Sequence, residues 1–239
     1  MRLPILAALL ALLPMPALAD VTARYSAGKT ELVVESDDGG NARITVAGKF
    51  GIIRRDGSDY VVVTTPTGET KVAALAELLA MMSGAMTART KSAAPSGLAI
   101  EKFVLLAKGE ATVGERKGSL WSFGPDKEQD GRPGKMLDVV ISADPALAPI
   151  AAVFRRTLES LLPVLGAVIP EASGFAPKAL ELIGKGAPLR IDKLVELQSV
   201  ATTEIDPKRF DLPAPVITAM EFLSAMSPGE TGEGFLPLP

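Results

Sequence analysis

The first part of the chain alternates apolar and polar residues with a period of two. Val21, Ala23 and Tyr25 are separated by polar residues, which predicts a strand with one buried face. Acidic and glycine residues at 37–40 and at 56–57 predict hairpin turns, because glycine tolerates the positive φ angles that such turns need. About four or five short strands within residues 20–65 therefore predict an antiparallel meander.

The apolar period changes to that of a helix after residue 68. A helix over Glu69–Met82 would carry four apolar side chains on one face: Val72, Leu75, Leu79 and Met82. The next segment, Ser83–Gly97, has no hydrophobic period and contains two glycines and a proline, so we expect a loop or a mobile lid there.

Strands are predicted again over residues 100–123 and 137–143, where alternation returns. A short helix near Lys178–Ile183 is predicted to end at Gly184. The clearest alternation comes last, where four apolar residues share one side of a predicted long strand: Leu189, Ile191, Val195 and Leu197.

The longest predicted helix begins after Asp144, a natural N-cap residue, with Pro145 at the first helical position. Pro163 is predicted to kink this helix. Its apolar stripe consists of Leu147, Ile150, Phe154, Leu158, Leu161, Leu165 and Val168. Arg155 and Arg156 lie off the stripe, so we expect them to be exposed.

This order of elements predicts the α+β class. The specific expectation is a strongly curved antiparallel sheet, a half-barrel, wrapped around or covered by one long kinked helix and shorter helices. Residues 20–215 would form a single curved-sheet domain. Residues 216–239 would form a C-terminal tail that is partly disordered, because the chain is rich in Gly, Pro and Glu from Pro228 onward.

Residues 1–19 have the pattern of a secretory signal peptide. Arg2 precedes an apolar run, prolines at 14 and 16 break it, and Ala17-Leu18-Ala19 matches an A-x-A cleavage site. The run is too short to span a bilayer, and Asp20 in place of Cys excludes a lipoprotein. The sequence thus predicts cleavage after Ala19, a periplasmic location and no membrane-spanning segment.

Composition narrows the chemistry further. The 239 residues include no Cys and no His, which excludes disulfides, the common Ser and Cys hydrolase triads and the common zinc sites. With 25 basic and 28 acidic residues, a formal net charge of −3 and no basic run, the chain is not predicted to bind nucleic acid.

Several short motifs resemble a domain-of-unknown-function family of bacterial periplasmic proteins across residues 20–215. They are the turn Arg54–Tyr60, the hairpin Glu110–Gly114 followed by Trp121, the strand start Pro188-Leu189-Arg190, and the C-terminal pair Ile205-Asp206-Pro207 and Phe210–Ala214. That family is similar in pattern to lipoprotein-carrier half-barrels of the LolA and LolB type. The resemblance implies a curved sheet around helices that holds acyl chains, with no catalytic residues. Many relatives carry a Cys in the middle hairpin, and this chain does not.

Three other motifs are better explained as turns or strand ends. Asp126–Gly131 has the first oxygens of a calcium loop, but position twelve is Leu137. Gly28-Lys29-Thr30 lacks the first glycine of a phosphate loop, and the S-x-x-K spelling from Ser26 to Lys29 ends a predicted strand. Asp138 and Asp144 are candidate acid and base groups, but a turn and an N-cap explain them. We therefore predict no catalytic, cofactor-binding or metal-binding residues and no enzymatic activity.

A methionine-rich segment supplies the candidate site. Leu79, Met81, Met82 and Met86 are predicted to contact an apolar ligand, with Met220 and Met226 near the C-terminus, because flexible thioethers line adaptable apolar surfaces. Ordinary core packing is the competing interpretation. The sequence predicts a non-enzymatic periplasmic protein that binds a lipid or acyl chain in a half-barrel cavity. The alternative is an envelope protein-interaction or assembly module with a helix-filled interior.

Overall fold

The structure is a computed structural model that describes residues 20–65, 67–90, 102–126, 136–168 and 174–226. For residues 85–90 and 164–168 the description covers the backbone. The predicted signal peptide, residues 91–97 of the predicted loop, most of the calcium-loop motif and residues 227–239 lie outside the described residues.

The N-terminal half of the described chain consists of six strands followed by a helix. The strands are β1 (Val21–Ala27), β2 (Thr30–Ser36), β3 (Ala42–Val46), β4 (Phe50–Arg55), β5 (Ser58–Thr64) and β6 (Thr70–Ala74), and the helix is α1 (Leu75–Thr90). The predicted hairpin at Asp56-Gly57 is confirmed, with φ angles of 50° and 79°. These positive angles match the twist of the paired strands, and they favour glycine at position 57.

The C-terminal half adds six strands and three helices. They are β7 (Phe103–Val113), β8 (Arg116–Pro125), β9 (Leu137–Ser142), α2 (Ala148–Val168), α3 (Phe175–Ile183), β10 (Ala187–Ile191), β11 (Val195–Ala201), β12 (Val216–Ile217) and α4 (Ala219–Met226). Short 3₁₀ helices lie at Pro145–Leu147 and Pro207–Phe210. Thus the first residues of the predicted C-terminal tail form β12 and α4.

All twelve strands belong to one sheet, in the order β12-β6-β5-β4-β3-β2-β1-β11-β10-β9-β8-β7. Neighbours are antiparallel except for β12 and β6, which are parallel. The sheet is not closed, because β12 and β7 are its two edges. An α+β fold with a large, mostly antiparallel sheet is therefore confirmed.

Three apolar clusters join the helices to the sheet. In the first, α2 packs against β1, β2 and β10, and Leu147 and Ile150 are fully buried, as predicted. Phe154 meets the buried Tyr25 ring edge-on at 5.6 Å. Burying an aliphatic side chain such as Leu147 or Ile150 stabilises the fold by about 1.5–3 kcal/mol. The second cluster lies between α1, α4, β5 and β6, and the third lies between α3 and strands β7–β10.

The long helix begins largely as the sequence predicts. The Asp144 carboxylate accepts a hydrogen bond from the backbone N–H of Ala146 at 2.9 Å, which confirms the N-cap. Arg155 and Arg156 are exposed, as expected. The apolar stripe from Phe154 to Leu161 is less buried than predicted. Phe154, Leu158 and Leu161 are only partly buried.

The helix predicted over Glu69–Met82 is wrong in its first part. Thr70–Ala74 form β6, which pairs with β5. The helix runs from Leu75 to Thr90, so it includes the first part of the segment predicted as a loop, Ser83–Gly97. Val72 and Ala73 point to opposite faces of the sheet, and both are fully buried. A strand that is covered on both faces lacks the alternation of apolar and polar residues. In the sequence, the apolar run of β6 therefore resembles the start of a helix.

The predicted long strand over Leu189–Leu197 is also wrong, because it is two strands. β10 and β11 form a hairpin whose turn has Asp192 at a φ of 47°. The turn has three residues, so the paired residues Ile191 and Val195 are four positions apart and lie on the same face, and the alternation continues through the turn. The predicted short helix is confirmed as α3, which ends at Gly184.

Among the described residues, no helix is long and apolar enough to cross a membrane.

Candidate functional site

The residues predicted to contact an apolar ligand all lie on α1, in different environments. Leu79 and Met81 are partly buried against the second cluster. Met82 is 42% exposed. Met86 lies within the helix, and its side chain is outside the described part of the chain. The structure thus brings Leu79 and Met81 to one cluster and leaves Met82 facing solvent.

Helix α4 begins with a capping box and is joined to α1 by a hydrogen bond. The backbone N–H of Thr218 donates to Glu221 Oε2 at 2.9 Å, and the backbone N–H of Glu221 donates to Thr218 Oγ1 at 3.3 Å. The hydrogen bonds that the Glu221 carboxylate accepts from the Thr218 backbone N–H and from Thr218 Oγ1 lower the pKa of Glu221. The backbone N–H of Ala219 donates to Glu77 Oε1 of α1 at 3.0 Å. The Thr-x-x-Glu spelling is a sequence signal for this helix that the sequence analysis missed.

An exposed apolar surface lies around these two helices. Of the seven large apolar side chains that are strongly exposed in the described part of the chain, three lie on α1 and α4. We call them the apolar surface: Met82, Met220 and Leu223. Met220 is 65% exposed, the largest value among the seven. The charged side chains on α4 and on α1 up to Gly84 are Glu221 and Glu77, and both accept hydrogen bonds from backbone N–H groups.

The space between α2 and strands β3 and β4 is filled. The cavity bounded by Ala42, Ile44 and Ile52 of the sheet and by Val153 of α2 has a volume of about 10 Å³. That volume holds at most about one water molecule. The polar end of this cavity contains the ion pair of Arg54 and Asp59, with 3.0 Å between nitrogen and oxygen. An acyl chain does not fit at this position without a movement of α2.

A larger cavity, of about 610 Å³, is open and polar. It lies at the ends of β8 and β9, and its lining includes Arg116, Lys117, Ser142 and Asp144. Arg116 and Asp144 form an ion pair at 2.6 Å, and Ser142 Oγ donates to the Lys117 carbonyl oxygen at 3.1 Å. Arg116, Ser142 and Asp144 thus already have partners in the wall of this cavity.

The two candidate acid and base groups have structural partners. Asp138 accepts hydrogen bonds from Ser122 Oγ and from Lys108 Nζ, and these bonds lower the pKa of the Asp138 carboxyl. Asp144 caps the 3₁₀ helix and pairs with Arg116. The Asp138 carboxylate is therefore stabilised as an anion, which is unfavourable for proton donation. Within the described ranges, no group of three or more acidic side chains is placed to hold a metal ion.

Residues 202–215 form a C-terminal strap that crosses the sheet between β11 and β12. The Asp206 carboxylate accepts from the backbone N–H of Lys208 at 3.0 Å, which caps the 3₁₀ helix Pro207–Phe210 on β3 and β4. Phe210 is buried there. At the start of the strap, the Ile205 backbone N–H donates to Asp20 Oδ2 at 2.6 Å. The two C-terminal motifs that carry the family resemblance therefore fix the strap to the sheet.

Comparison with known proteins adds no relative. Neither a protein-family model, a curated protein nor a solved structure matches the chain. The resemblance to the periplasmic family stays a prediction, and any function must follow from the geometry of the chain itself.

Proposed function

We propose that this protein is a non-enzymatic interaction module of the bacterial envelope, exported to the periplasm, which binds a protein partner through the apolar surface. The observation that carries the proposal is the presence of three strongly exposed apolar side chains on the neighbouring helices α1 and α4. Exposed apolar patches of this kind typically mark sites of association.

A protein partner fits this surface better than a small molecule does. Small-molecule sites are concave cavities of about 300–1,000 Å³, whereas Met82 and Met220 project from the outside of two helices. Methionine is enriched at protein interfaces, where charged residues are depleted. Its flexible thioether adapts to a partner's shape. The filled space beside Val153 also favours association at the surface.

Site-specific photocrosslinking in living cells tests this proposal. A photoreactive amino acid at position 220 is expected to give a discrete crosslink to one envelope protein, whose purified form then binds with a measurable Kd. Met82→Glu combined with Met220→Glu should weaken that binding by more than about tenfold, because charged groups would be buried at the interface.

The matched control uses exposed apolar residues away from the surface. Leu106 on β7 and Leu194 in the β10–β11 turn are 53% and 45% exposed. Leu106→Glu combined with Leu194→Glu should leave the affinity unchanged. Equal losses in both double variants, or crosslinks of equal strength from positions 220 and 106, would rule the proposal out.

A second candidate function is the binding of a lipid or acyl chain inside a strongly curved half-barrel sheet, with α2 kinked at Pro163. The supporting observation is that Leu79, Met81 and Met226 are only partly buried at the junction of α1 and α4. A movement of α4 away from α1 would open this methionine-lined junction. The contact of Ala219 with Glu77 would have to break in that movement.

Titration with a fluorescent fatty acid separates the two candidates. Carrier function predicts saturable binding that Met81→Gln weakens and Leu106→Gln does not. Native mass spectrometry of the protein purified from the periplasm would then show a co-purifying lipid. Absence of saturable binding at micromolar probe removes the carrier candidate and leaves the interaction module.

A further inference from the structure

A pocket of about 260 Å³ lies between the C-terminal strap and strands β3–β5. In the strand register, Thr45 pairs with Gly51, and Gly51 pairs with Val62, so these three residues share one face of the sheet. Their neighbours Ile44 and Val61 belong to the clusters under the helices. Side chains alternate between the two faces of a sheet. The pocket therefore lies on the face opposite α1, α2 and α4.

The strap wall of this pocket is held by an ion pair whose carboxylate, that of Glu35, is buried. Arg209 donates two hydrogen bonds to the Glu35 carboxylate, at 2.7 and 3.0 Å. These bonds raise the pKa of Arg209 above its usual value, so the guanidinium keeps its charge. Arg55 pairs with Asp211 further along the strap. The charges of Arg209 and Asp211 are therefore already compensated.

Three other cations line the pocket without a carboxylate partner in the described part of the chain: Arg43, Lys49 and Lys208. Arg43 donates to two neutral oxygens, Thr45 Oγ1 at 3.1 Å and the Arg209 carbonyl at 3.2 Å. These bonds fix its guanidinium and use two of its five N–H donors. Asp211 is the one acidic residue among the described lining residues.

Unpaired positive charges in one cleft raise the local concentration of anions. This cluster of positive charges contrasts with the whole chain, which carries a formal net charge of −3. The hydroxyl groups of Thr45 and Thr64 lie on the pocket floor as further hydrogen-bonding groups.

We propose that this pocket binds the phosphate group of a small phosphomonoester or phosphodiester. A phosphate has several acceptor oxygens, so the Arg43 fork and the two lysines can bind it from different sides, as Arg and Lys do in phosphate sites. The volume suits a phosphate with a short polar group attached. The same chemistry occurs in soluble phosphate esters and in lipid head groups.

Calorimetric titration of the full exported chain tests the proposal, with glycerol 3-phosphate as one probe and vesicles of phosphatidylglycerol as the other. Phosphatidylcholine vesicles serve as the neutral-lipid comparison. We expect saturable binding of an anionic probe at low salt that weakens as ionic strength rises. Binding of glycerol 3-phosphate indicates a soluble ester, and binding of phosphatidylglycerol vesicles alone indicates a lipid head group.

Variants assign the binding to the pocket. Lys49→Gln combined with Lys208→Gln should weaken binding by more than about tenfold, because each removes a charge-assisted contact. The matched control, Lys29→Gln combined with Lys193→Gln, removes the same charge from two turns that do not line the pocket. Circular dichroism should show that both double variants are folded.

Two results would overturn the proposal. One is the absence of saturable binding for both anionic probes, and the other is an equal loss of affinity in the pocket and control variants. Neither result bears on the protein-binding surface, which lies on α1 and α4.

Discussion

The ion pair that fastens the strap gives the sharpest test of the fold. Glu35 on β2 is only 4% exposed, and both its oxygens accept hydrogen bonds from Arg209. Arg209→Ala removes those donors and leaves a carboxylate on the covered face of the sheet. Removing one partner of a fully buried ion pair costs about 3–5 kcal/mol.

The expected cost here is smaller, because the Arg209 side chain is about half exposed. Water can reach the carboxylate after the truncation and replace part of the lost interaction. We therefore expect the free energy of unfolding to fall by about 2 kcal/mol. Glu35→Gln keeps an acceptor oxygen for Arg209 and should cost about 1 kcal/mol. Urea denaturation with two-state fitting measures both values.

An exposed ion pair of similar length is the control. Arg24 and Glu31 are 3.0 Å apart, and both side chains are at least half exposed. Arg24→Ala should change stability by no more than about 0.5 kcal/mol, as is usual for exposed pairs. If Arg209→Ala costs no more than Arg24→Ala, the strap is not held by its buried carboxylate.

Three further predictions address the core and the pH dependence. Tyr25 is 1% exposed, and its hydroxyl has no hydrogen-bond partner among the described residues. Tyr25→Phe should therefore raise the free energy of unfolding by about 1 kcal/mol in urea denaturation. A loss of stability would contradict this prediction. Leu147→Ala should lower the free energy of unfolding by about 2–5 kcal/mol, because the side chain is fully buried. A loss under about 1 kcal/mol would show that Leu147 does not belong to the first cluster. The lowered pKa of Asp138 stabilises the fold above the unfolded value of about 3.9, and this contribution is lost as the pH falls through the folded pKa. Ser122→Ala should raise the pKa of Asp138 in an NMR titration, and an unchanged pKa would show that this hydrogen bond does not hold the carboxylate.

Local signals in the sequence determined several elements correctly. The hairpin at Asp56-Gly57, the N-cap at Asp144 and the end of α3 at Gly184 each depend on residues within a few positions of one another. The same is true of the alternation in β1. The physical reason is that turn geometry and capping hydrogen bonds are satisfied within one short segment. The capping box at Thr218 was equally local, and it was missed only because the segment was assigned to the tail.

Tertiary structure alone decided the rest. Whether Val72 and Ala73 form a strand or a helix depended on β5 and β12, which pair with them from both sides. Strand β1 lies beside β11, although Ser26 and its partner Glu196 are 170 residues apart. The apolar surface arises because α4 lies against α1, and the basic pocket arises because the strap carries Lys208 to Arg43 and Lys49. Such sites join residues that are distant in sequence, so no local pattern reports them before the sheet is assembled.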